Sequence, residues 1–121
     1  MSAKKILHVD DDEPLLRMVA RFLQGNGFTV VSTTSPFIAP IIQAEQPSLI
    51  IMDIDMPLLS GDKIVGIIRS QDFSTTPVIF FSGKPVPELL SVARRTAPAD
   101  YVRKEDGFPA LLAKINTFLS P

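Results

Sequence analysis

Four short apolar runs, Ile6–Val9, Phe28–Val31, Leu49–Met52 and Val78–Phe81, constrain this chain more than any other feature. Each is four residues of continuous apolar character but for His8 and Thr29, and together they are rich in Val, Ile and Phe. A strand with one wet face alternates apolar and polar side chains. An unbroken run suits a strand covered on both faces, and hence a parallel sheet. The segments between the runs carry helical spacing instead. Leu15, Leu16, Val19, Phe22 and Leu23 recur at intervals of three and four, with Pro14 suited to a first turn and Gly25-Asn26-Gly27 to a stop. Ser35-Pro36 opens a second helix through Ile38, Ile41 and Ile42, which Pro40 should delay or kink. Ser60-Gly61 precedes a third, through Ile64, Ile67 and Ile68, and Pro87 starts a fourth that runs towards Arg95. Tyr101-Val102 is a weak fifth strand, placed by its position between two helices. A last helix carries Phe108, Leu111, Leu112, Ile115, Phe118 and Leu119 behind a cap at Asp106.

Five alternations of strand and helix in 121 residues predict one α/β domain, 1–121, with a doubly wound sheet and right-handed crossovers. The absence of cysteine excludes a disulfide framework and thiolate metal sites. A net charge of −1, with Lys4-Lys5 and Arg94-Arg95 as isolated doublets, leaves no electrostatic footprint for nucleic acid. The apolar stretch behind Met1-Ser2-Ala3-Lys4-Lys5 is too short for a signal-peptide core, and nothing approaches membrane-spanning length. A cytoplasmic protein without a membrane partner is expected. Nothing after Phe118-Leu119 suggests an output domain, so the chain reads as stand-alone or truncated.

In open parallel sheets, ligands sit beyond the carboxyl ends of the strands, where the winding reverses. The residues following each apolar run are therefore the candidates. Asp10, Asp11 and Asp12 follow Val9, Asp53 follows Met52, Ser82 follows Phe81, and Lys104 follows the weak fifth strand. The second run leads into Ser32-Thr33-Thr34, uncharged, as befits an edge strand away from the site. Clustered carboxylates repel one another unless a cation joins them. Hard oxygen ligands of this kind suit Mg²⁺. A carboxylate can act as nucleophile to form an acyl phosphate, with the metal and a lysine neutralising phosphoryl oxygens and a hydroxyl donating to them.

Each residue alone has a plainer reading. Asp10–Asp12 and Glu13 could cap a helix, Asp53 could be a turn residue, Ser82 a loop hydroxyl and Lys104 a surface lysine. Convergence favours the chemical reading, with Asp12 left as a helix cap. His8, within a central strand, is expected to be buried and satisfied by a neighbour rather than to act as a ligand or catalyst.

Four segments in register resemble response-regulator receiver domains. Lys5-Ile6-Leu7-His8-Val9-Asp10-Asp11-Asp12-Glu13-Pro14 resembles the first strand and acidic pair, with Asp10 and Asp11 as the pair. Pro47-Ser48-Leu49-Ile50-Ile51-Met52-Asp53-Ile54-Asp55-Met56-Pro57, with Gly61 eight residues after Asp53, resembles the phospho-acceptor segment. Pro77-Val78-Ile79-Phe80-Phe81-Ser82-Gly83 resembles the switch Ser/Thr segment, and Tyr101-Val102-Arg103-Lys104 the aromatic switch position and phosphate-binding lysine. The resemblance spans the whole chain without insertions.

It implies a flavodoxin-like sheet of order 2-1-3-4-5 with five helices, and Asp53 as acceptor with Lys104 and Ser82. It implies Mg²⁺ on Asp10, Asp11, Asp53 and the Asp55 backbone carbonyl, and Ser82 and Tyr101 as switch residues. The implied partners are a histidine kinase or histidine phosphotransfer protein, and a downstream protein on the surface of the fourth helix, fifth strand and fifth helix. No enzymatic turnover beyond slow self-dephosphorylation is implied. Asp55 and Lys84 are expected to face each other across the mouth of the site and to tune its lifetime.

Glu105 departs from the family, which usually has a proline here joined by a cis bond. A non-proline cis bond costs about 2.5–4 kcal/mol, so a trans link and an altered loop are expected. Two alternatives stand beside this reading. Asp53-Ile54-Asp55 also resembles the Asp-x-Asp motif of haloacid-dehalogenase-like phosphatases, and the chain could be the N-terminal piece of a DNA-binding response regulator.

Overall fold

A computed structural model describes residues 3–70 and 75–120. Met1 and Ser2, read above as the start of the chain, and Pro121 lie outside them, as do residues 71–74. Five strands and five α-helices alternate: β1 (Lys5–Val9), α1 (Glu13–Gly25), β2 (Thr29–Thr33), α2 (Ala39–Glu45), β3 (Leu49–Met52), α3 (Gly61–Arg69), β4 (Val78–Ser82), α4 (Val86–Arg95), β5 (Ala99–Arg103) and α5 (Gly107–Leu119). The strands form one parallel sheet in the order β2-β1-β3-β4-β5.

The unbroken apolar runs have the predicted cause. β3 and β4 are buried at every position, because alternate side chains feed two separate cores. Ile50, Met52, Val78 and Phe80 join Leu7 and Val9 under α2, α3 and α4. Leu49, Ile51, Ile79 and Phe81 join Ile6 against α1 and α5. α1 contributes Leu16, Val19 and Leu23 to its buried face, each worth about 1.5–3 kcal/mol of burial.

The differences from expectation lie at the ends of elements. β2 begins at Thr29, one residue later than the apolar run, and extends through Ser32 to Thr33. Its register with β1, Lys5↔Thr29 to Val9↔Thr33, decides this, and a half-exposed edge strand tolerates the hydroxyl residues. Pro40 delays α2 to Ala39 and sits in its first turn. β5 is longer than Tyr101-Val102, because pairing with β4 recruits Ala99 to Arg103. Asp106 precedes α5 but makes no side-chain cap: it closes a 3₁₀ turn, Lys104–Asp106, with an αR backbone. The Lys104–Glu105 bond is trans, as expected without proline.

Among the described residues, no helix is long and apolar enough to cross a membrane.

Candidate functional site

Strand register assembles the site. Val9 and Met52 are partners across β1 and β3, so Asp10 and Asp53, one residue further on, emerge side by side. The N–H of Asp53 donates to the Val9 carbonyl at 3.0 Å, and that of Asp10 to the Thr33 carbonyl at 3.2 Å. Ser82 ends β4 opposite Arg103, so Lys104 leaves β5 at the same level. The serine lies inside the strand rather than after it.

Asp10, Asp11 and Asp53 each present a carboxylate oxygen, all within 4.8 Å of one another. Asp10 is fully buried and Asp53 is 4% exposed, whereas Asp11 is open to solvent. Asp10 Oδ1 accepts from the Asp12 N–H at 3.0 Å. Among the described residues its Oδ2 has only the Lys104 ammonium, Nζ at 3.0 Å, in an ion pair outside hydrogen-bond angles. Lys104 Nζ is also 3.5 Å from Asp53 Oδ2. One ammonium therefore serves two nearly buried carboxylates, and a third stands beside them.

Asp12, by contrast, caps α1 as expected, its Oδ1 accepting from the Leu15 N–H at 3.0 Å.

The electrostatics follow from this imbalance. Burial pushes the Asp53 carboxyl above the usual carboxylate range; the Asp10 charge adds to the rise and Lys104 only partly opposes it. Burial alone would lower the Lys104 ammonium, but the Asp10 contact and the charges of Asp53 and Asp10 outweigh it, and its pKa rises. A buried carboxylate oxygen without a hydrogen bond, in an acidic cluster with a single shared cation, is a fitting donor set for a hard divalent ion.

At the mouth, Lys84 Nζ is 3.1 Å from Asp55 Oδ1. The Lys84 N–H approaches Ser82 Oγ at 3.3 Å, and Ser82 itself is fully buried. Tyr101 is half-buried, packed against the core beneath α4. Every predicted site residue except Tyr101 therefore gathers at one end of the sheet.

His8 does not fulfil its expectation in one respect. It is fully buried, but neither ring nitrogen has a hydrogen-bond partner among the described residues. Burial, with the Lys104 charge behind it, lowers its pKa to about 3, so the imidazole is neutral.

Spacing drew attention to Gly61 without revealing its role. A Cβ there would lie 2.0 Å from the Asp53 carbonyl oxygen. The Gly61 N–H donates to the Ile54 carbonyl at 2.8 Å, closing the loop that carries Asp55. A glycine at the first position of a helix, where any residue could serve, was the available signal.

The family model described as the response regulator receiver domain matches residues 6–116. The response regulator protein FleR of Pseudomonas aeruginosa is 32% identical over 111 residues, 91% of this chain and 23% of FleR. The transcriptional regulatory protein YxdJ of Bacillus subtilis is 28% identical over 93% of this chain and 49% of its own. The chain thus spans about half or less of these relatives. Among solved structures, the chemotaxis protein CheY4 of Vibrio cholerae superposes with a TM-score of 0.89 at 25% identity, covering 98% of this chain and all of that one.

Proposed function

The chain belongs to the response regulator receiver domain family, and we propose that Asp53 accepts a phosphoryl group from a histidine kinase or histidine phosphotransfer protein, with Mg²⁺ as cofactor. The observation that carries this reading is the meeting of Asp10, Asp11, Asp53 and Lys104 at adjacent strand ends. An Asp53 carboxylate oxygen attacks phosphorus, the bond to the donor breaks, and its electron pair leaves on the donor. Asp10, Asp11, Asp53 and the Asp55 backbone carbonyl would hold the metal, which when bound neutralises charge on the phosphoryl oxygens. Lys104 is within reach of both Asp10 and Asp53, so it can follow charge from the carboxylate to the phosphoryl group. Ser82 donates its hydroxyl to the acyl phosphate.

Movement of Ser82 towards that phosphate opens space for Tyr101 to turn inward. The surface of α4, β5 and α5 is remodelled, and a downstream protein binds there through a shift in population. The domain works in the cytoplasm, contacts no nucleic acid itself, and performs no turnover beyond slow self-hydrolysis. The family match goes against a haloacid-dehalogenase-like phosphatase, and aryl phosphate hydrolysis at steady state would be its signature. A second reading, attachment to a DNA-binding output domain, draws on the longer transcriptional relative and is decided by the length of the reading frame.

The test is incubation with Mg²⁺ and acetyl phosphate, followed by mapping of phosphate by mass spectrometry. Asp53 is the expected position, and Asp53→Asn and Asp11→Asn abolish labelling. Phosphate on any other residue overturns the assignment.

A further inference from the structure

α4 is held more firmly at its C-terminal end than at its start. At its start, Pro85, Val86, Pro87 and Glu88 are all exposed, no side chain caps the first turn, and the first buried residue is Leu89. At its end, Val92, Ala93 and Thr96 are buried, and Thr96 Oγ1 donates to the Val92 carbonyl at 2.8 Å.

Arg69, from the last turn of α3, holds that end. Its Nε donates to the Thr96 carbonyl at 3.1 Å, its Nη1 to the Thr76 carbonyl at 2.7 Å, and its Nη2 to the Pro98 carbonyl at 2.9 Å. The Pro98 carbonyl also accepts from the Val78 N–H at 3.0 Å, so the guanidinium is tied into the β4–β5 ladder. A planar fork of fixed donors holds three carbonyls in one relative position, which a single ammonium cannot do. Because the parallel strands all point towards the carboxylates, this clamp lies at the opposite end of the sheet from Asp53.

We propose that Arg69 is the pivot of α4: it pins the C-terminal end of the helix through Thr76, Thr96 and Pro98, so that movement begun at Ser82 swings the N-terminal end. This rests on phosphoryl acceptance at Asp53 and adds which part of the output surface responds. Residues 83–90 move, tethered to the site by the Lys84 contacts with Ser82 and Asp55, while Val92–Thr96 stay with the sheet. Arg69 is a positioning residue, remote from the reacting atoms.

Amide hydrogen exchange on the whole chain, with and without Mg²⁺ and beryllofluoride as phosphoryl mimic, tests the pivot. In the resting protein, Val92–Thr96 should exchange roughly tenfold or more slowly than Glu88–Leu90. Activation should change exchange within 83–90 and leave Val92–Thr96 as they were. Arg69→Lys, which keeps the charge but loses the fork, should speed Val92–Thr96 by roughly tenfold and spread the activation response along all of α4. Equal exchange at the two ends of resting α4, an activation response running evenly through Val92–Thr96 in the unaltered chain, or wild-type exchange there in Arg69→Lys would each overturn the pivot. Failure of acetyl phosphate to label Asp53 while the resting gradient holds would instead overturn the functional reading and remove the trigger.

Discussion

Lys84 reaches across the mouth of the site to Asp55, Nζ to Oδ1 at 3.1 Å. The Asp55 hydrogen bond, with the Asp55 charge behind it, raises the Lys84 pKa above its ordinary value. Both side chains are partly in solvent, so the pair adds little to stability; on the proposed function its expected effect is on access of water to the acyl phosphate. Lys84→Ala and Asp55→Ala should each speed dephosphorylation, by up to about fivefold, and added salt should do the same to the unaltered protein. The double mutant should be no faster than the singles. Additive effects in a double-mutant cycle would mean the two act separately, and a longer lifetime in Lys84→Ala would reverse the role.

Asp53 is held at a cost to the fold. Its pKa is raised in the native state by burial and by Asp10, so the penalty is absent below the ordinary carboxylate range and grows as pH rises through the raised value. Asp53→Asn should therefore stabilise the metal-free protein at neutral pH, with the gain vanishing in acid. Mg²⁺ should raise the melting temperature of the unaltered chain and have little effect on Asp11→Asn. Thermal melts with and without chelator, across pH, provide the check. A neutral-pH loss of stability in Asp53→Asn would show that the Lys104 contact outweighs the repulsion.

His8 supplies a slope of the opposite sign. Its native pKa lies near 3 against 6.5 for a free imidazole, so stability is complete above 6.5 and is lost as pH falls from there towards 3. The loss should run at about 1.4 kcal/mol per pH unit at its steepest. His8→Leu removes both the slope and two buried nitrogens without hydrogen bonds, and should be at least as stable as the parent at pH 5. His8 is the only histidine, so one imidazole NMR titration decides the matter. A native midpoint near 6.5 would contradict the burial.

Two glycines of α3 should respond oppositely to alanine. Gly66 faces open space, so Gly66→Ala should add up to about 1 kcal/mol through helix propensity. Gly61→Ala places a methyl against the Asp53 carbonyl and should cost about 2–4 kcal/mol, with slower phosphorylation as the acceptor shifts. Denaturant unfolding of both variants measures the contrast. A Gly61→Ala protein of unaltered stability would show that the loop yields freely.

The strand-and-helix order was legible from the sequence because burial on both faces leaves no polar positions in β3 and β4, and one-sided burial leaves a period of 3.6 in the helices. The candidate carboxylates, Ser82 and Lys104 were legible too, since a parallel sheet brings the ends of its strands to one place whatever the loops do. Local pattern could not decide β2, where pairing with β1 drew in Thr29, Ser32 and Thr33, nor Asp106, which the turn after Lys104 carried out of capping geometry. It also could not show that His8 would lack a partner or that Gly61 would touch Asp53. Nor could it show that Arg69 would meet the carbonyls of Thr76, Thr96 and Pro98. Those contacts fall outside helix and strand spacing and run through backbone atoms that every residue type carries, so side-chain identity leaves no trace of them, and only the packed chain decides which carbonyl faces which donor.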